Sequence, residues 1–182
     1  LIQFSASWCG PCQQLKPIVE KISNDPTAKD TFTEVYKRSA LDSAIESKKR
    51  TKAGLRKGAL DGIPISVKDL ADIKGKLTGG GSSLTNKEKA RNNATFVDNL
   101  QSQGAIILGK THMTELAFSG LGLNPITATP ENPFNEELVS GGSSSGSAVS
   151  VSRNYCFASI GSDTGGSVRI PAAWNNLVGL KT

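Results

Sequence analysis

Hydrophobic positions along the chain change period several times, and each change marks a predicted element. Leu1 to Phe4 is a short apolar run that reads as a strand. Leu15, Ile18, Val19 and Ile22 then recur at helical spacing, and Asn24-Asp25-Pro26 ends the pattern. Phe32, Val35 and Tyr36, followed by Leu41, Ala44 and Ile45, predict a second helical stretch. After a turn at Asp61-Gly62, Ile63-Pro64-Ile65-Ser66-Val67 reads as a strand ending at Lys68. Gly79 to Ser83 reads as a loop. Thr85 and Glu88 have capping-box spacing and predict a helix with Ala90, Ala94, Val97 and Leu100 on one face, stopped by Gly104. Ala105 to Leu108 is another apolar strand. Strand, helix, strand in that order predicts parallel pairing through a right-handed crossover. A Pro/Asn-rich loop spans Gly122 to Asn135, and Tyr155 to Ile160 and Leu177 to Leu180 read as further strands. The class is α/β, with a mixed, partly parallel sheet flanked by helices.

Composition narrows the function classes. The chain has 182 residues, 37% hydrophobic and 20% charged, as in a soluble globular domain. The net charge of +5 gathers in one run, Lys48, Lys49, Arg50, Lys52, Arg56 and Lys57. No aromatic residue is interleaved there, so the run reads as a solvated helix end and no nucleic-acid partner is expected. No apolar run approaches the roughly 18 residues that a membrane span needs, so no membrane association is expected. Three cysteines, Cys9, Cys12 and Cys156, make no disulfide framework, and the expected compartment is cytoplasmic. With one histidine and scattered cysteines no metal site is read, and no cofactor is expected.

Two Gly/Ser blocks carry the chemistry, Ser140 to Ala148 and Gly161 to Ala173. A flexible linker would have this composition, but the apolar residues between the blocks (Val149, Val151, Cys156, Phe157, Ala158, Ile160) are expected to be buried. A phosphate loop is excluded, because the Gly-x-x-x-x-Gly-Lys-[Ser/Thr] spacing is absent. Acyl transfer needs a nucleophile, a base and backbone N–H groups aimed at a developing oxyanion. Asp163-Thr164-Gly165-Gly166-Ser167 offers glycines that can turn N–H groups toward one point beside a serine hydroxyl. Two routes to a base remain open on the residues alone. His112 is the one histidine, and Lys68 ends a buried-looking strand, where burial would free its amine to accept a proton.

Taken together, the blocks Gly141 to Ala148 and Gly161 to Pro171 resemble the amidase signature family. "DGIPISVKDL" (Asp61 to Leu70), "GKTHMTELA" (Gly109 to Ala117) and "PAAWNNLVGLKT" (Pro171 to Thr182) are similar to further segments of that family. The resemblance implies an amidase-signature-type fold over residues 25–182, incomplete at its C-terminal side, and a serine amidohydrolase acting on a small-molecule amide. It implies Ser167 as nucleophile, Ser143 as a bridging serine on a cis peptide bond, and Lys68 as general base. It also implies an oxyanion hole from Thr164, Gly165 and Gly166, with Asp163 and Arg169 bracing the loop. Oligomeric state is not readable.

Phe4 to Ile18, with Trp8-Cys9-Gly10-Pro11-Cys12, resembles the active-site segment of thioredoxins, a strand followed by a helix. Residues 1–23 therefore read as a thioredoxin-like strand-helix fragment ahead of the larger domain. This gives a second functional reading, a thiol–disulfide oxidoreductase with Cys9 attacking and Cys12 resolving. A third reading is an inactive chimera of two family fragments.

Overall fold

Four strands and the helices that cover them make up the computed structural model, which describes residues 11–85 and 88–182. Leu1 to Phe4 and Cys9 lie outside the described residues, and with them the expected first strand and the attacking thiol. Helix α1 (Pro11–Asn24) is followed by the single turn α2 (Ala28–Thr31), strand β1 (Phe32–Val35) and helix α3 (Lys37–Lys52). Strand β2 (Pro64–Lys68), helix α4 (Thr95–Ser102) and strand β3 (Ile106–Thr111) form the crossover unit. A short 3-10 turn (Glu115–Ala117), helix α5 (Ser145–Ser152), strand β4 (Ala158–Ile160) and helix α6 (Arg169–Trp174) complete the order.

The sheet runs β1-β3-β2-β4. β2 pairs in parallel with both β3 and β4, while β1 is antiparallel to β3. The expected mixed, partly parallel sheet is what forms. Every residue of the two central strands is buried, polar ones included, because both faces of the sheet are covered there. β2 and β3 are not in simple register. Ile65 faces Ile107 but Ser66 faces Gly109, so β3 carries one extra residue, a bulge at Leu108. Gly109 has no side chain because β1 passes too close: a Cβ there would lie 2.4 Å from the Glu34 carbonyl oxygen. Beyond the bulge Lys110 pairs with Val67, and Thr111 with Lys68.

α1 turns Leu15, Val19 and Ile22 into a cluster with Ala40 and Ala44 of α3, Ile106 and Leu108 of β3, and Tyr155. On the other side Val97 of α4 packs on Val67 and Ile107. α5 lies over the face that carries Ser66, Lys68 and Thr111. Its Ser150 hydroxyl is 2.9 Å from Ser66 Oγ, and its Ser147 hydroxyl is 2.9 Å from Thr111 Oγ1. Gly146 lets this helix seat closely, since a Cβ would meet the Thr31 carbonyl at 2.5 Å and the His112 backbone at 2.8 Å.

Several expectations are corrected here. Phe32 to Val35 is a strand, and the second helix starts only at Lys37. The Phe32–Val35–Tyr36 spacing mimics a helix, but Phe32, Glu34 and Val35 pair with Thr111, Lys110 and Gly109. α4 begins at Thr95, not near Thr85. The Ala90 N–H donates to Lys76 O and the Ala94 N–H to Asp72 O, so this backbone is committed across the loop. The Thr85 hydroxyl donates to Gly79 O and Ser82 O rather than capping a helix. Leu177 to Leu180 forms no strand; the Leu177 N–H closes onto Ala172 O at the end of α6. Val149 and Cys156 are buried as expected, but Phe157 and Ala158 are exposed, because β4 is an edge strand. Among the described residues no helix is long and apolar enough to cross a membrane.

Candidate active site

Lys68 is the last residue of β2 and is 2% exposed. A buried strand-end lysine has no room to reach bulk water, and its amine ends among hydroxyls. Nζ donates to Ser143 Oγ at 2.7 Å and to Ser162 Oγ at 2.8 Å. Burial pushes its pKa from 10.5 down to about 8, against an opposite pull from the Asp163 anion. At neutral pH a useful fraction of this amine is uncharged, which an exposed lysine does not provide.

Ser143 is fully buried and follows a cis peptide bond from Gly142. The loop ahead of α5 is clamped by backbone bonds: Gly141 N–H to Leu121 O at 3.1 Å, Gly142 N–H to Gly120 O at 2.8 Å, and Thr114 N–H to Ser143 O at 3.1 Å. Gly142 is required by close approach, since a Cβ would lie 2.6 Å from Thr114 Oγ1. The next residue joins the two Gly/Ser blocks. The Ser144 N–H donates to Ser167 O at 3.1 Å, and the Ser144 hydroxyl to Ser162 O at 3.3 Å.

The second block is organised by one carboxylate. Asp163 accepts from the N–H groups of Gly166 (2.8 Å), Val168 (3.0 Å) and Arg169 (3.2 Å). It also accepts from the Arg169 guanidinium at 3.0 and 2.9 Å. These bonds, led by that of Arg169, hold its carboxyl far below the usual carboxylate range. Thr164 and Gly165 form the exposed crest of the loop, and a Cβ at Gly165 would meet nothing within 4 Å. Gly166 is buried, and its N–H is held by Asp163, so that amide is turned away from the role of oxyanion donor in this geometry.

Lys68 and Ser143 are thus brought into direct contact, and Ser167 is tied through its backbone to Ser144. Among the described residues the hydrogen-bond partners of the Lys68 amine are Ser143 and Ser162, and His112 is not one of them. Its N–H donates to Thr31 O, its carbonyl accepts from Gly146 N–H, and burial lowers its imidazole pKa. Its position makes it a joint between α2 and α5. Cys9 lies outside the described residues, and Cys12 is described only as helix backbone. Among the described residues Cys156 is a free, buried thiol, and no group of three or more His, Cys, Asp or Glu could hold a metal ion.

Two features escaped the sequence reading. Ser162 is the second partner of the Lys68 amine; its only signal was its place just before Asp163, and the contact depends on the β2–β4 pairing. Lys110 forms a buried ion pair with Asp69, while also donating to Leu77 O at 2.6 Å. It is a second interior lysine, but one with a counterion.

Comparison with known proteins bears on the fold and the family. The pattern of the family described as Amidase matches residues 14–182. The A subunit of glutamyl-tRNA(Gln) amidotransferase from Lachnospira eligens is 37% identical over 169 residues, covering 93% of this chain and 35% of that protein. The mitochondrial A subunit from Bos taurus is 38% identical over 190 residues, with 93% and 35% covered. Among solved structures, native peptide amidase from Stenotrophomonas maltophilia superposes with a TM-score of 0.82 at 30% identity, covering 91% of this chain and 35% of that one. These relatives are enzymes, and the chain spans about a third of their length. The extent of the family match, with the same fold and with relatives above 30% identity, places the chain in the Amidase family.

Proposed function

We propose that this chain carries the catalytic serine–lysine machinery of an amide C–N hydrolase acting on a small-molecule amide. The observation that carries the reading is the buried Lys68 amine, 2.7 Å from Ser143 Oγ and with its pKa lowered to about 8. In the proposed reaction the neutral Lys68 amine takes the proton of Ser143, which takes that of Ser167. The Ser167 oxygen attacks the amide carbonyl carbon. N–H groups of Thr164 and Gly165, on the exposed crest, stabilise the oxyanion. Collapse breaks the C–N bond, and the proton returns through Ser143 to the leaving nitrogen. Water then hydrolyses the ester on Ser167 and regenerates the enzyme. Asp163 and Arg169 hold the loop in shape, a role supported by the five hydrogen bonds that converge on the Asp163 carboxylate. Relatives named as subunits of an amidotransferase extend the proposal to a chain that works beside other subunits.

The test is hydrolysis of a panel of primary amides, glutamine among them, by wild type and Ser167→Ala. Loss of the nucleophile lowers kcat at least about 1,000-fold, with the fold intact by circular dichroism. Turnover that survives the substitution would exclude Ser167 as the nucleophile.

A further inference from the structure

We propose that Ser162 is a positioning residue for the Lys68 amine, fixing which way its lone pair points; the inference rests on the reading of Lys68 as the base. The geometry poses a specific problem. A charged lysine has three N–H donors and suits two hydroxyl acceptors, Ser143 at 2.7 Å and Ser162 at 2.8 Å. A neutral amine has two N–H donors and one lone pair. It acts as a base toward Ser143 only if the lone pair, not an N–H, faces that oxygen. The Cε–Nζ bond is a threefold rotor with three nearly equivalent settings. A hydroxyl that accepts an N–H on one side biases the rotor and leaves the lone pair free for the other side.

Ser162 is placed for this by the sheet. β4 pairs in parallel with β2 so that Val67 faces Ile160. The chain then runs through Gly161, where a Cβ would lie 2.5 Å from Ser144 Oγ. Only glycine permits that approach, and it delivers Ser162 beside the end of the Lys68 side chain. A cavity of about 320 Å³, lined by Lys68, Ser162, Phe96 and Ile160 among others, opens next to the pair. The amine's contacts to Ser162 and to the bridging serine are two separate hydrogen bonds, at 2.8 and 2.7 Å.

The inference makes a two-part prediction. An acceptor on an ammonium favours the charged form, so removing it lowers the lysine pKa further. Ser162→Ala therefore moves the acid limb of the kcat profile to lower pH by about half a pH unit, and the plateau falls roughly 10- to 100-fold, as for loss of one hydrogen bond to a charged group. KM stays close to wild type. Ser162→Thr keeps the hydroxyl and restores both limb and plateau. An activity-independent readout accompanies these. The pH dependence of Lys68 acylation by acetic anhydride, followed by peptide mass spectrometry, gives the amine's midpoint directly, and Ser162→Ala lowers it in step with the kinetic limb. Midpoint and plateau both unchanged in Ser162→Ala, or Ser162→Thr as impaired as Ser162→Ala with a normal melting transition, overturn the inference. Lys68→Ala separates the two possible failures. Hydrolysis that survives it removes the base assignment and Ser162's role together, whereas hydrolysis that needs Lys68 but ignores Ser162 removes only the latter.

Discussion

Replacing Lys68 by methionine is expected to change the sign of its effect on stability with pH. In the folded chain the amine is 2% exposed and its pKa is lowered from 10.5 to about 8. Between those values the unfolded chain holds a proton that the folded chain has released, so wild-type stability rises with pH across this window. At 1.36 kcal/mol per pH unit, the depressed pKa means that burying the charged amine costs ~3 kcal/mol below pH 8, and the cost disappears by about pH 10.5. Methionine fills a similar volume and carries no charge. It also leaves the Ser143 and Ser162 hydroxyls without their partner, at about 1 kcal/mol each. The balance makes Lys68→Met more stable than wild type by about 1 kcal/mol at pH 7, and less stable by about 2 kcal/mol at pH 10.5, while abolishing amide hydrolysis. Urea denaturation of both proteins from pH 6.5 to 10.5 measures the difference, from which the titration of other lysines cancels. A stability difference that stays constant across that range would show that Lys68 is not desolvated as described. The same contacts would then give it no reason to act as a base.

Two further outcomes probe how the site is held. Gly146→Ala drives a methyl group into the Thr31 carbonyl, 2.5 Å away, and the His112 backbone, 2.8 Å away; overpacking against main chain costs about 1–3 kcal/mol, read as a lower urea midpoint, and a neutral substitution would mean that α5 is not seated on the sheet. Asp61 accepts from Arg50 at 2.9 and 2.6 Å and from the Lys57 N–H at 2.9 Å, and although burial opposes ionisation these bonds bring its pKa down to about 2 from 3.8. Its stabilisation of about 2 kcal/mol is present above pH 4 and is lost as the pH falls through 2; Asp61→Asn removes that acid dependence, and an acid-unfolding slope equal to wild type would refute it.

What the sequence made legible follows the strength of each local signal. β2 could be read because its five residues are buried on both sides and a turn precedes it, and Lys68 was visible at its end. α1 was legible because Leu15, Val19 and Ile22 keep a helical stripe that the structure buries. β1 was hidden because four residues are too few to show alternation, and its pairing is with residues about 75 positions later, Gly109 to Thr111. The start of α4 was misplaced because Ala90 and Ala94 look like helix positions, yet their N–H groups bond to Lys76 and Asp72, a tertiary choice that no local propensity records. The Lys68–Ser143 contact was expected from motif resemblance, not from periodicity. Ser162 left no such trace, because its meeting with Lys68 arises only when β4 aligns on β2.

The bulge in β3 decides how many cations the site contains. Strand side chains alternate between faces, so one extra residue reverses the parity of everything beyond it. With the bulge, Lys110 stands beside Val67, across the sheet from Lys68, where Asp69 neutralises it. Were the ladder regular, with Leu108 paired opposite Ser66, Lys110 would stand opposite Lys68 on the same face, with two ammonium groups about 5 Å apart. At an effective dielectric constant of about 20 their repulsion is ~3 kcal/mol, enough to lower the pKa of Lys68 by about two more pH units and leave a weak base. Asp69 would meanwhile lose its partner in the interior. A single unpaired residue in a central strand thus keeps Lys110 off the face that carries Lys68 and leaves it beside Asp69.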